Sequence, residues 1–182
     1  MADMTASLPR TVFAAPSAPS APSTRADVGT GTVEAIHLAP AGSQPMRSVE
    51  RVRAIAGVGL EGDRYATGTG HYSGNAKVDR HVTLIAAEEI EALAAGSGIV
   101  VAPGETRRNV TTRGIRLNEL VGRRFRIGPV ECEGTRLCEP CQYLTDLLDR
   151  PILAPLVHRA GLHARILGDG EIALGDEVVA LD

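Results

Sequence analysis

The sequence predicts a mostly β fold (α+β), in which a closed or partly closed β-barrel carries a few inserted helices. Two observations predict this fold: short runs that alternate apolar and polar residues, and glycine-containing turns between those runs. About a quarter of the 182 residues are Leu, Ile, Val or Phe, which is enough apolar material for a core. The length suits a single domain with a tail.

Residues 1–29 are expected to form a flexible tail, and residues 30–182 the folded domain. More than half of the tail is Ala, Pro or Ser, a composition that buries too little apolar surface to offset the entropy lost on ordering. Pro16, Pro19 and Pro22 interrupt the place where the apolar stretch of a secretory signal would lie, so we expect no signal peptide.

In the first half of the domain, the sequence pattern predicts three strands and one helix. Residues 32–38 and 49–55 alternate apolar and polar side chains, as half-buried strands do. Residues 81–85 form a third apolar run, which leads into a short helix over residues 86–95. The glycines that follow would end this helix.

The second half predicts a hairpin, two helices and two closing strands. Gly128 and Pro129 form a tight turn between two strand-like runs, at residues 123–127 and 130–134. Leucine spacing predicts a helix over residues 138–148, and Pro151 would start a second helix over residues 152–159. The last strands fall at residues 163–167 and 177–181, with glycine turns between them.

Composition excludes several classes of function. A net charge of −3, no Trp and only three Tyr argue against a nucleic-acid partner. No apolar run is long enough for a transmembrane helix, and three cysteines are too few for a secreted disulfide scaffold. We therefore expect a cytoplasmic protein with no membrane partner. Lys77 is the single lysine, which argues against a pyridoxal-phosphate enzyme.

The densest chemical signal is the segment from Arg136 to Cys141. Cys141 would lie at the start of the predicted helix, where backbone N–H groups favour a thiolate, which is both a nucleophile and a soft metal ligand. The alternative is a small buried hydrophobic residue, which is the favoured interpretation for Cys132. The Cys138-x-x-Cys141 spacing also matches a redox dithiol or half of a zinc site, but no second pair of ligands follows it.

Two further clusters could hold an anionic ligand. One combines planar guanidinium groups with an amide, and the alternative is a solvated strand edge. Its residues are Arg107, Arg108 and Asn109, followed by Thr111, Thr112 and Arg113. The glycine-rich stretch that starts at residue 57 lets backbone approach a ligand, and Arg64, His71 and Lys77 supply charge and donors; the alternative is a plain loop. The other histidines are scattered singly and are expected to be structural or surface residues: His37, His81, His158 and His163.

Taken in order, these segments resemble the MOSC family, which is named for the C-terminal domain of molybdenum-cofactor sulfurase. The resemblance covers residues 31–181. It begins with Gly-x-Gly-x-x-Gly-Asp-Arg at residues 57–64 and includes Gly-Glu-Thr-Arg-Arg-Asn-Val at residues 104–110 and Pro140-Cys141. The remaining matching segments are residues 81–85, 114–122, 159–164, 170–172 and 175–176.

The resemblance implies a β-barrel that binds the pterin molybdenum cofactor or moves sulfur. Cys141 falls on the cysteine that ligates molybdenum in reductases of N-hydroxylated compounds, and that would hold a persulfide in a sulfur carrier. Arg107 and Asn109 fall on an Arg-x-Asn that contacts the cofactor, and Arg64 lies near another cofactor-contacting arginine. Glu139 stands where reductases near that branch have a small hydroxyl residue.

The resemblance therefore implies a molybdenum-dependent oxidoreductase, a reductase module in which Cys141 is catalytic and ligates the metal. The alternatives are a sulfur carrier or transferase that uses a persulfide on Cys141, and a non-catalytic cofactor-binding or delivery protein. The expected partners are a small-molecule substrate and either an electron-donor protein or a sulfur donor such as a cysteine desulfurase.

Overall fold

Seven strands close into a β-barrel, which confirms the predicted fold class. The structure is a computed structural model that describes residues 27–74 and 79–181. In the barrel the strands follow the order β1–β11–β7–β8–β9–β5–β6, and β6 pairs with β1 to close the ring. The strands are β1 (Thr30–Leu38), β2 (Arg47–Val49), β3 (Arg51–Ile55), β4 (Gly59–Leu60), β5 (Val82–Ala86), β6 (Val110–Arg113), β7 (Arg124–Ile127), β8 (Val130–Leu137), β9 (Leu162–Ile166), β10 (Gly170–Ala173) and β11 (Glu177–Ala180).

All neighbours in the barrel are antiparallel except β5 and β6. A parallel pair needs a crossover connection, and α1 (Ala87–Ser97) lies in it. Gly98 ends α1 with a φ of 71°, and its N–H donates to the Ala94 carbonyl. The predicted helix at this place is confirmed. The remaining helical elements are α2 (Gln142–Leu148) and three 3₁₀ turns, Pro103–Thr106, Leu117–Leu120 and Ala154–Leu156.

The core is aliphatic, and Phe125 is the one aromatic side chain in the two buried clusters of the described residues. One cluster fills the barrel; the other packs α1 against α2 and the turn after it. Cys132 on β8 belongs to the barrel cluster, and burial raises the pKa of its thiol to about 12. It therefore packs as a small hydrophobic residue, as expected. Within the same described part of the chain, no helix is long and apolar enough to span a membrane.

Three predicted elements differ from the structure. The run at 49–55 divides at Glu50, because β2 pairs with β1 whereas β3 pairs with β10 in a separate sheet. The helix predicted over 138–148 begins only at Gln142, since the Cys138 N–H donates to Gly161 instead.

The predicted helix over 152–159 is wrong: only the 3₁₀ turn forms there, and Pro155 in that turn has no N–H to donate. Strand β10 was missed, since its short glycine-flanked sequence has the composition of a turn. Most of the predicted tail, residues 1–26, lies outside the described residues, as does Lys77.

Gly161 lies directly before β9, against β5 and beside the segment that precedes Cys141. Its φ is +108°, and a Cβ added there would overlap the carbonyl oxygen of Leu84 on β5. The Gly161 carbonyl also accepts the Cys138 N–H at 2.7 Å. A residue without a side chain is therefore needed to bring the segment before Cys141 against the barrel.

We expect Gly161→Ala to lower the free energy of unfolding by roughly 3 kcal/mol, because backbone strain and steric overlap both act there. Urea denaturation measures this change. Gly168→Ala is the matched control, since a Cβ at Gly168 meets nothing within 4 Å; its effect should stay within about 0.5 kcal/mol. Equal stability of the two variants would contradict the close approach.

Candidate functional site

A partly open cavity of about 280 Å³ lies beside Cys141. Its walls come from the loop between β4 and β5, the turn before β6, the end of β8 and the start of α2. The structure brings the predicted Cys141, Arg64, Arg107 and His71 together there. Arg136, the first residue of the predicted Cys141 segment, lines the cavity as well. Sequence reasoning did not assign the following lining residues to a site: Tyr65, Tyr72, Arg80, Thr83, Tyr143 and His163.

The cavity wall is rich in positive charge. Five arginines line it, at positions 64, 80, 107, 108 and 136, whereas Glu139 is the only lining carboxylate among the described residues. Two further carboxylates lie behind the wall, Asp63 against Arg64 and Asp79 against Arg136 and Arg80. These pairs leave excess positive charge, so the cavity favours an anionic ligand.

Arg107 has a hydrogen-bond donor left for a ligand. It adopts a left-handed conformation with φ 60° at the end of the Pro103–Thr106 turn, and it is 8% exposed. Its Nη1 donates to the Gln44 carbonyl at 2.7 Å, whereas its buried Nη2 has no hydrogen-bond partner in the described structure. Burial, and next the charge of Arg64, lower the pKa of the guanidinium. An anion would relieve both effects.

Arg64 supports Arg107 from behind. Its Nη2 donates to the Arg107 carbonyl at 2.9 Å and its Nη1 donates to Asp63 at 2.9 Å. The side chain is 4% exposed and still lines the cavity. Arg64 therefore supplies charge to the site while its donors hold the backbone of Arg107 in place.

Asn109 lies beneath the cavity and does not line it. Its amide nitrogen donates to the His37 carbonyl and to Asp63, and its amide oxygen accepts the N–H and the hydroxyl of Thr83. All four hydrogen-bonding positions of the side chain are thus occupied by protein. The structure gives Asn109 a positioning role, and its contact with a cofactor stays a prediction.

Arg108 ties three segments together. Its guanidinium donates to the carbonyls of Ala160, Thr106 and Cys138. Like its two neighbours in sequence it is buried, so the alternative of a solvated strand edge is wrong for residues 107–109, whereas the Arg113 side chain is partly exposed. The bond to the Cys138 carbonyl holds the chain just before Cys141.

Cys141 is the accessible thiol of the three cysteines, all of which are free. It is the half-buried N-cap of α2, and its carbonyl accepts the N–H groups of Leu144 and Thr145. The Tyr72 hydroxyl faces it: hydrogen bonding to Cys141 is the largest of the effects that raise the pKa of Tyr72 to about 12. Cys138 is buried, and burial raises the pKa of its thiol.

An aromatic cluster stands at the mouth of the cavity. The rings of His71 and Tyr143 stack with centroids 4.0 Å apart and an interplanar angle of 9°, and Tyr72 meets His71 edge-on at 4.6 Å. The Tyr143 hydroxyl accepts the Ser43 N–H at 2.8 Å, which fixes the ring. The sequence signal that could have found this cluster is the presence of tyrosines inside the glycine-rich stretch and directly after Cys141.

His163 on β9 also lines the cavity, although the sequence pointed to a structural or surface residue. Its Nδ1 is buried and has no hydrogen-bond partner among residues 27–74 and 79–181. Burial, followed by the charges of Arg136 and Arg108, lowers its pKa to about 3. At neutral pH it is therefore an uncharged imidazole in a positive environment.

The zinc interpretation gains no support, since no group of three His, Cys, Asp or Glu side chains in the described part of the chain could hold a metal ion. The other three histidines fit their predicted roles. His37 and His81 are buried, and burial lowers both pKa values. His158 is exposed and contacts Glu139.

The chain is similar to known proteins in sequence pattern and in fold. The family model described as MOSC domain matches residues 46–179. The YUAD protein from Bacillus subtilis superposes with a TM-score of 0.69 at 19% identity, over 82% of this chain and 94% of that one. YiiM from Geobacillus stearothermophilus gives a TM-score of 0.63 at 17% identity, over 84% of this chain and 75% of that one.

YiiM from Escherichia coli gives a TM-score of 0.58 at 17% identity, over 83% of this chain and 70% of that one. At these identities the likeness shows a shared fold. The search of curated proteins found no match.

The low pKa of His163 predicts a loss of stability in acid. Below the ordinary histidine pKa of about 6.5 the unfolded chain binds a proton, which the folded protein takes up only near pH 3. The free energy of unfolding therefore falls as the pH drops below about 6.5, by at most roughly 1.4 kcal/mol per pH unit from this group.

His163→Gln should flatten that decline between pH 7 and 4.5, as measured by urea denaturation at several pH values. His37 and His81 remain in the variant and keep a residual slope, since burial lowers their pKa values too. A variant curve parallel to that of the wild type would show that His163 is protonated in the folded protein as readily as in the unfolded chain.

Proposed function

This chain belongs to the MOSC domain family, and from that premise we propose that its arginine-lined cavity binds the pterin molybdenum cofactor with Cys141 as a molybdenum ligand. The family is known for binding this cofactor. One observation carries the proposal for this chain: Cys141, whose thiol is free, lines the same cavity as Arg107, whose buried Nη2 has no hydrogen-bond partner in the described structure.

The residues present suit such a group. A thiolate is a soft ligand of the kind that binds late or sulfur-preferring metals. A guanidinium with a free N–H suits a phosphate oxygen, and burial strengthens that interaction. Arg64 adds charge at the same end of the cavity, since it donates to the Arg107 carbonyl. The positive wall would therefore hold the phosphate, and Cys141 would hold the metal.

The proposed activity is reduction of an N-hydroxylated small molecule. The bound cofactor would supply two-electron redox chemistry at the metal. Conversion of N–OH to N–H releases water and consumes two electrons and two protons, so an electron-donor protein is the proposed partner. Tyr72 would remain protonated beside Cys141, because its pKa of about 12 lies far above neutral pH. His163 is uncharged at neutral pH, and its pKa of about 3 makes it neither a proton donor nor an effective proton acceptor there.

Cys141→Ala should lose the molybdenum that the wild type retains. The measurement is metal and pterin content after anaerobic purification from a host that makes the cofactor. Cys132→Ala is the matched control, because Cys132 lies in the barrel core and does not line the cavity; it should keep the metal. A folded wild type without cofactor would overturn the proposed function.

The burial of the Cys138 thiol favours a sulfur carrier as the second candidate function. In that role a sulfane sulfur would pass from the persulfide of a cysteine desulfurase to the Cys141 thiolate; a new S–S bond forms and the donor leaves as a thiolate. Attack by Cys138 would destroy the product and form a disulfide. Because burial raises the pKa of Cys138, that thiol is a poor attacking group, so a persulfide on Cys141 would persist.

Incubation with a cysteine desulfurase and free cysteine tests this candidate by intact mass. A carrier should gain the mass of one sulfur atom in the wild type and in Cys138→Ser, and none in Cys141→Ala. A wild type that gains no sulfur would exclude the carrier. A non-catalytic delivery protein, the remaining alternative, would hold molybdenum and turn over no N-hydroxylated substrate with any reductant.

A further inference from the structure

Aromatic side chains are rare in this chain, yet they are concentrated at the cavity. The sequence contains three tyrosines and no tryptophan, and all three tyrosines line this one cavity together with His71. In the buried clusters of the described residues, Phe125 is the only aromatic side chain. Aromatic rings contribute most to stability when they are buried in a core, so their placement at a partly open cavity points to a ligand.

The geometry of the cluster leaves one face of the His71 ring uncovered by the two tyrosines. His71 and Tyr143 stack at 4.0 Å, Tyr72 lies 4.6 Å from His71, and the two tyrosines are 6.2 Å apart. These three distances form a nearly right-angled triangle at His71. Tyr72 therefore lies beside the His71 ring, and the face away from Tyr143 is covered by neither tyrosine. His71 is exposed and lines the cavity.

The Tyr143 ring of the pair is also held in place. Tyr143 is anchored through its hydroxyl to the backbone and side chain of Ser43. Cys141 lies two residues before Tyr143, at the N-cap of the same helix. The other two tyrosines already have cationic neighbours, since Arg64 lies over Tyr65 at 4.8 Å and Arg80 lies 5.7 Å from the Tyr72 ring. The His71 face that neither tyrosine covers thus belongs to a stack that lines the same cavity as Cys141.

We propose that the His71–Tyr143 pair is a stacking platform for a planar conjugated ring. Offset stacking adds attraction beyond apolar burial, and a fixed platform loses little entropy when a ring lies on it. Two sources could supply such a ring: the pterin of the cofactor, or a conjugated N-hydroxylated substrate. The link to either source rests on the proposed function, whereas the platform itself can be tested in cofactor-free protein.

The chain carries its own reporter for this test. Because it has no tryptophan, its intrinsic emission comes from the three tyrosines, all of them at the cavity. Cofactor-free protein is titrated with benzohydroxamate and, as the matched probe without a ring, with acetohydroxamate, and quenching of the emission gives each dissociation constant. The variants are His71→Ala, which removes the platform, and His71→Phe, which keeps a flat ring.

The wild type should bind benzohydroxamate more tightly than acetohydroxamate. His71→Ala should weaken benzohydroxamate binding by about two- to tenfold, the range that corresponds to aromatic stacking. It should leave acetohydroxamate unchanged, and His71→Phe should restore the preference. Equal binding of the two probes by the wild type, or a loss that affects both probes alike, would overturn the platform.

A second arm distinguishes the two sources. The titration is repeated on cofactor-loaded protein: benzohydroxamate binding that persists assigns the platform to the substrate ring, and binding that disappears assigns it to the pterin. Both results support the platform. Failure of the proposed function would show separately, as absence of molybdenum, and would leave the cofactor-free titration valid.

Discussion

The site depends most on the hydrogen bonds that the buried Asp63 carboxylate accepts. It is 1% exposed and accepts hydrogen bonds from the backbone of Ala39 and Tyr65 and from the side chains of Arg64 and Asn109. A buried carboxylate is unfavourable unless its oxygens are paired, so these four donors are required together. They join the end of β1, the glycine-rich stretch and the chain entering β6 at a single point.

Two arginines connect this point to the cavity, because their guanidinium groups donate to backbone carbonyls of the cavity wall. Arg64, held by Asp63, donates to the carbonyl of Arg107. This bond stabilises the left-handed backbone conformation of Arg107, which sets the direction of the Arg107 guanidinium. Arg108 does the same for the chain before Cys141 by donating to the Cys138 carbonyl. Buried arginines therefore have two roles: most of their N–H groups hold backbone, and their summed charge makes the cavity positive. Arg107 keeps a donor for the ligand.

The fold and the reactive residues were predictable to different degrees. Alternating runs identified the barrel strands that have one buried face, such as β1, because burial imposes a period of two on the sequence. The helix predicted over 152–159, which Pro151 would have started, failed because Pro155 lies inside that segment and only a 3₁₀ turn forms there. Within the site, Cys141 and Arg107 stood out by residue type and neighbourhood, whereas nothing in the sequence distinguished His163 from the other single histidines.

What the sequence determined by itself is local: the β-rich class, the aliphatic core and the family to which the ordered segments belong. The class and the core follow from periodicity and composition, which each segment carries independently of the rest of the chain. The family follows from the resemblance of the motifs and from their order along the chain. Only the tertiary structure decided that Asn109 lies below the cavity while Tyr72, Tyr143 and His71 surround its mouth. The physical reason is that closure of the barrel brings together segments distant in sequence, and burial and charge at a site are properties of that closure.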